Sequence, residues 1–168
     1  MKLSKDAGTN AGAGTGETKA KGKSGFETFK MADAKFIAAG HSIKELPSSA
    51  YPEFGFAGKS NVGKSSLLNS LMMRRNLVRT SKTPGATRTI NLFEATIAAR
   101  VEGEVSEPPR TFSFADLPGY GYAQRAKSER ASWGPMLESY LKNRPELRGL
   151  VVLVDMRLGA SEDDAALL

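Results

Sequence analysis

The run Gly58-Lys59-Ser60-Asn61-Val62-Gly63-Lys64-Ser65 constrains this 168-residue chain more than any other stretch. It has the spacing G-x-x-x-x-G-K-S, and its flanks suit that pattern. Tyr51 to Ala57 is a short apolar-rich run that reads as a buried strand, and Ser65 to Met73 places apolar residues at helical spacing. A strand, a glycine loop and a helix aim successive backbone N–H groups at one point, with the positive end of the helix dipole behind them. Such a loop grips phosphate: Lys64 reaches β- and γ-phosphates, and the Ser65 hydroxyl serves a magnesium ion. A chance glycine-rich turn is the alternative, and the strand before it and helix after it speak against that.

Composition narrows the class. Hydrophobic residues make up 40% of the chain and charged residues 25%, as in a globular protein of one domain. There is no cysteine, so no disulfide framework, thiolate nucleophile or thiolate metal site, and a reducing cytoplasm fits. No apolar run approaches the roughly 18 residues that span a membrane. The N-terminal lysines have no apolar segment behind them, which argues against a secretory signal. A net charge of +6 suits a polyanionic partner as well as it suits a solvated basic surface.

Residues 1–28 are rich in Gly, Ala, Thr, Ser and Lys and read as a disordered tail, because they cannot bury enough apolar surface to offset their ordering entropy. Residues 29–168 then form an α/β domain. Phe29 to Gly40 has helical or strand spacing and serves as a lead-in element; His41, the only histidine, takes no catalytic role. Past the first helix, Arg74 to Arg88 is a long loop with five basic residues, no acid and a Pro84-Gly85 break. Thr89 to Val101 and Thr111 to Ala115 read as strands joined around Pro108-Pro109, giving one antiparallel hairpin. A helix follows over about Ala126 to Asn143, in which Pro135 marks a kink or a break and Trp133 packs as core. Gly149 to Asp155 is a continuous apolar run, the pattern of a central parallel strand covered on both faces. Ser161 caps a further helix with Glu162, Asp163 and Asp164 in its first turn.

The phosphate loop alone does not separate kinases, ATPases and GTPases. Asp116-x-x-Gly119 at a strand end matches the D-x-x-G element of GTPases, whose aspartate holds magnesium through water and whose glycine amide senses a γ-phosphate. A threonine between the two motifs must close over the metal, and Thr80, Thr83, Thr87 and Thr89 all stand there.

Taken together, Gly58 to Asn69, Thr80-Ser81-Lys82-Thr83-Pro84-Gly85-x-Thr87, Ile90-Asn91-Leu92-Phe93 and Asp116-Leu117-Pro118-Gly119-Tyr120-Gly121 closely resemble the EngB (YihA/YsxC) family of bacterial GTPases. That resemblance covers about residues 30–168. It implies a P-loop NTPase of the Ras-like G-domain fold: a mostly parallel sheet with one antiparallel hairpin and helices on both faces. It implies GTP and GDP as ligands, magnesium as cofactor, and a part in large ribosomal subunit assembly, cell division and septation. Gly58, Lys59, Ser60, Asn61, Val62, Gly63, Lys64 and Ser65 would hold the phosphates. Gly85, Ala86, Thr87, Arg88 and Thr89 would be the first switch, and Asp116, Leu117, Pro118 and Gly119 the second. Ser65, Thr87 and Asp116 would ligate the metal, while Lys64, Thr87 and Gly119 would act in catalysis. Asp155-x-Arg157-x-Gly159 looks like the family's loop after the fourth strand. The large ribosomal subunit or its rRNA would be met through the basic segments 74–88 and 125–148 by a protein that is otherwise monomeric.

Some positions depart from the family. Lys59 stands where arginine is commoner, and Ala86 and Arg88 flank Thr87 where arginine and glutamine are usual. Tyr120 occupies the place where Ras-like enzymes carry a water-orienting glutamine, so slow intrinsic hydrolysis that a partner accelerates is expected. Asn61 lies where some related GTPases bind potassium through asparagine; plain loop geometry is the alternative reading. The N/T-K-x-D motif that selects guanine does not occur in the sequence, and Leu168 falls inside the helix that should precede a fifth strand. The chain therefore reads as a partial domain whose C-terminal strands are missing, with GTP-over-ATP preference implied by resemblance alone. The rival readings are an ATP-dependent P-loop enzyme and an RNA- or ribosome-binding module with a vestigial nucleotide site.

Overall fold

Two clusters of apolar side chains, one on each face of a single sheet, hold the molecule together. The structure, a computed structural model, describes residues 27–78, 89–101, 104–105, 107–121 and 126–167. Its strands are β1 (Glu27–Gly40), β2 (Glu53–Gly58), β3 (Ile90–Val101), β4 (Glu104–Val105), β5 (Arg110–Asp116) and β6 (Leu147–Leu153). Its helices are α1 (Lys64–Leu71), α2 (Ala126–Asn143) and the one-turn α3 (Glu162–Ala165). The sheet order is β1-β3-β5-β2-β6, with β4 paired to β3.

Alternation along the strands sends neighbours to opposite faces. On one face Ala57, Ile90, Leu92, Ala115 and Leu117 pack with Leu137 and Tyr140 of α2. On the other, Phe56, Phe93 and Ala95 pack with Leu68 of α1 and with Met72 and Val78 beyond it. Helices thus cover both faces, as expected of the α/β class. α2 runs unbroken through Pro135, because Leu137 and Tyr140 anchor its following turns while the lost hydrogen bond is local.

Two features differ from the sequence expectation. The lead-in segment is a 14-residue strand, β1, antiparallel to β3, and it starts at Glu27 inside the expected tail. With β1–β3, β3–β5 and β3–β4 antiparallel against β2–β5 and β2–β6 parallel, the sheet is mixed and holds more antiparallel pairing than one hairpin. Among the described residues β6 pairs with β2 and stands last in the order, with Val151 40% exposed. Among the described residues no helix is long and apolar enough to cross a membrane.

Candidate functional site

β2 and β5 are parallel neighbours with Phe56 opposite Asp116, so their C-terminal ends open at the same edge of the sheet. This register is what brings the phosphate-loop motif and the D-x-x-G motif together. β2 ends at Gly58, the loop turns, and α1 starts at Lys64. The turn requires left-handed backbone at Gly63, with φ +102°, a conformation that glycine adopts without cost from a side chain. Gly63 is also the N-cap of α1 and brings no side chain to cap its first-turn amides. Asn61 is left-handed too, at φ +66°, and asparagine tolerates that region better than most residues. Loop geometry is thus a sufficient physical reason for its presence.

Lys64 Nζ forms an ion pair with Asp116 Oδ1, and both side chains are buried. Burial raises the pKa of Asp116, opposed by the Lys64 charge and by hydrogen bonds from Lys64 and Asn91. Asn91 sits directly across from Asp116 in the β3–β5 register, and Thr89 donates its hydroxyl to Asn91 Oδ1 at 3.2 Å. A polar chain therefore runs from Thr89 through Asn91 to Asp116 and Lys64. In the sequence Asn91 stands out only as part of the Ile90-Asn91-Leu92-Phe93 run, with no role of its own; its place opposite Asp116 gives it one.

Gly119 lies against the phosphate loop so closely that a Cβ there would stand 3.0 Å from Ser60 Oγ and 3.2 Å from Ser60 Cα. The Ser60 amide donates to the Tyr120 carbonyl at 2.8 Å, and the Leu117 amide donates to the Phe56 carbonyl at 3.0 Å. The Tyr120 ring is turned inward, 1% exposed, and its hydroxyl donates to Asp164 Oδ1 at 2.6 Å. Burial first, and then the Asp164 bond, push the pKa of Tyr120 upward, so the hydroxyl keeps its proton.

The structure thus gathers Gly58, Lys59, Ser60, Asn61, Val62, Gly63, Lys64 and Ser65 with Asp116, Leu117, Pro118 and Gly119, and sets Thr89 in hydrogen-bond contact with Asn91. Gly85, Ala86, Thr87 and Arg88 lie outside the described residues, as do Thr80 and Thr83. Ser65, in the first turn of α1, and Asp116 supply hard oxygen donors of the type magnesium prefers. Among the described residues no group of three or more His, Cys, Asp or Glu gathers, but magnesium bound with nucleotide draws most of its ligands from water and phosphate.

Further along this edge, Asp155 is held by Arg157, whose Nε and Nη2 donate at 3.0 and 2.7 Å and whose backbone amide donates at 3.0 Å. These bonds depress the Asp155 pKa to about 2. The basic segment 125–148 needs one correction. Arg144 is buried, forked onto Glu53 at 3.1 and 2.9 Å and bonded to the Pro47 carbonyl, so it is structural rather than available to a polyanion.

The chain is similar in sequence to curated GTP-binding proteins. A sequence 45% identical over 82% of this chain and 61% of its own length is the "Probable GTP-binding protein EngB" of Heliobacterium modesticaldum. The protein of the same name from Desulfosudis oleivorans is 45% identical over 78% of this chain and 60% of its own. A solved chain described as the crystal structure of a probable GTP-binding protein engB aligns at 27% identity over 60% of this chain and 47% of that one, with a TM-score of 0.37. The chain spans about three fifths of the length of the curated relatives it matches. The family profile described as 50S ribosome-binding GTPase matches residues 53–168, a stretch that includes the phosphate loop and the D-x-x-G segment, and the chain belongs to that family.

Proposed function

We propose that this chain is a GTP-binding switch of the EngB kind, which hydrolyses GTP to GDP and phosphate with magnesium. The observation that carries this reading is the meeting of Lys64 with Asp116 where β2 and β5 open together, with Gly119 seated on Ser60. Lys64 would exchange Asp116 for the β- and γ-phosphates, and the Gly119 amide would face the γ-phosphate. Ser65, Thr87 and Asp116 would hold magnesium, which when bound neutralises charge on the phosphate oxygens. Binding of the triphosphate would order both switch loops, and hydrolysis would release them. Tyr120 gives its hydroxyl to Asp164, which leaves it no donor to orient an attacking water; intrinsic turnover is therefore slow, and a partner speeds it.

The partner we propose is the large ribosomal subunit or its rRNA, in the cytoplasm, during subunit assembly and in support of cell division and septation. The family description and the +6 charge support this choice.

The test is displacement of fluorescent GDP from the chain in magnesium buffer. GTP and GDP should compete, and Lys64→Ala should lose binding. Failure of GTP to displace the probe would overturn the nucleotide reading, and unchanged binding by Lys64→Ala would overturn the site.

A further inference from the structure

We infer that Tyr120 is a positioning residue: its hydroxyl latches the segment after Gly119 to α3, so that the resting place of the D-x-x-G glycine on the phosphate loop depends on a helix that starts 42 residues later in the chain. Several independent contacts converge on this one residue. Its carbonyl accepts the Ser60 amide at 2.8 Å, and it forms an isolated parallel bridge with Lys59. Its hydroxyl reaches Asp164 at 2.6 Å. Both Tyr120 and Asp164 are almost fully buried, so the bond is made away from competing water.

Asp164 does two jobs with its two oxygens. Oδ1 takes the tyrosine proton donor. Oδ2 accepts the Ser161 amide at 2.7 Å and the Ser161 hydroxyl at 2.6 Å, which completes a capping box at the start of α3. A shift of α3 therefore moves the acceptor of the Tyr120 hydroxyl, and a shift of Tyr120 pulls on the cap. The capping box fixes the start of α3.

The consequence lies in the switch. Gly119 has no room to approach the loop further, because Ser60 already fills the space a Cβ would take. It can only slide or lift, and Tyr120, its neighbour, is held both at the backbone and at the ring tip. In the latched arrangement Asp116 is bonded to Lys64, the lysine that the phosphates require. The latch thus favours the arrangement in which the two charged groups satisfy each other. Loosening it favours the arrangement in which they turn to a triphosphate and its metal. This part of the inference rests on the GTPase reading; the mechanical coupling between α3 and the loop does not.

Two measurements on the full chain separate these parts. The first is amide hydrogen exchange without nucleotide. Tyr120→Phe removes only the hydroxyl, and it should raise exchange at the Ser60 amide by about fivefold or more while the Met72 amide, bonded to Leu68 on α1, stays as it was. Asp164→Ala should do the same, and the double variant should add little to either single change, because both remove one link. Unchanged Ser60 exchange in Tyr120→Phe overturns the latch, as does an equal rise at Ser60 and Met72, which would report general loosening. The second measurement is the affinity ratio between the β,γ-imido analogue of GTP and GDP. Tyr120→Phe should shift that ratio toward the triphosphate analogue by about fivefold or more. Binding of both nucleotides with an unmoved ratio overturns the link to the switch. If Ser60 exchange responds but the wild-type chain binds neither nucleotide, the latch is upheld and the GTPase reading falls.

Discussion

At the scale of single residues the molecule relies on side chains that hold one another in place. Lys64 and Asp116 are 52 residues apart in sequence and share one buried contact. Each charge would be costly without the other. Asp155 is a different case, because its pair is exposed. Arg157 reaches back two residues and grips the carboxylate with its guanidinium and its amide, and Gly159, at φ +71°, lets the chain turn so that the Leu158 and Gly159 amides both meet the Asp155 carbonyl. The side-chain bond from Arg157, and then its backbone bond, draw the Asp155 pKa down to about 2. A depressed carboxylate pKa contributes stability above its unfolded value, here near 4, and that contribution is lost as pH falls through the folded value. The pair should therefore stay ionised through mild acid and open only near pH 2. Carboxyl NMR shifts followed through an acid titration should show an Asp155 midpoint near 2, and Arg157→Gln should return it toward the ordinary aspartate range. A wild-type midpoint near 4 would contradict the grip.

Between elements, the end of the sheet away from the phosphate loop is tied by a buried polar network. Glu53 opens β2 fully buried, and it accepts from Tyr140 at 2.5 Å and from Arg144 at 3.1 and 2.9 Å. Arg144 also reaches the Pro47 carbonyl and lies 3.2 Å from Glu146. The Glu146 side chain accepts the Ser49 amide at 3.1 Å, and its carbonyl accepts the Glu53 amide at 2.9 Å. The C-terminal end of α2, the start of β2 and the approach to β6 are thus fixed to one another. Removing one partner strands a buried charge, so Arg144→Met should destabilise the fold by about 3–5 kcal/mol in urea unfolding. Tyr140→Phe leaves the ion pair intact and should cost about 1–2 kcal/mol. Equal losses for the two variants would mean that packing rather than charge pairing dominates there. None of this was readable from sequence. The strand–loop–helix at 51–73, the span of α2 and the cap at Ser161 were legible, because each is written in local spacing. β1 was ambiguous, since its apolar residues fit helix and strand alike until β3 supplied a ladder. Arg144 looked like surface charge because burial of an arginine is decided by a carboxylate 91 residues away.

For the whole molecule, net charge and its distribution decide what a polyanion would meet. Among the described residues several exposed cations are paired: Lys35 with Glu94, Arg74 with Asp33, Arg110 with Glu107, Lys142 with Glu138 and Arg157 with Asp155. Exposed pairs of this type are worth little and are screened by salt, so phosphates can compete for their cations. Arg144 is the exception, because its partner is buried with it. The D-x-x-G aspartate was placed correctly from sequence for a related reason: the motif stands at a strand end, and parallel pairing of β2 with β5 carries it to the loop. Binding to the proposed rRNA partner should be graded by exposure of the cations. Arg75 and Lys142 are exposed, and each phosphate they neutralise contributes a slope of roughly one in log affinity against log salt concentration. Arg75→Ala and Lys142→Ala should each weaken binding and flatten that slope by about one. Arg144→Met, assayed at a temperature where it remains folded, should leave the slope unchanged. A salt titration of rRNA binding by fluorescence anisotropy decides the matter, because a surface role for Arg144 would flatten the slope and a buried role cannot. Flat slopes for all four proteins would mean that the positive charge serves solubility, and that the ribosomal partner, if it is met at all, is met through another surface.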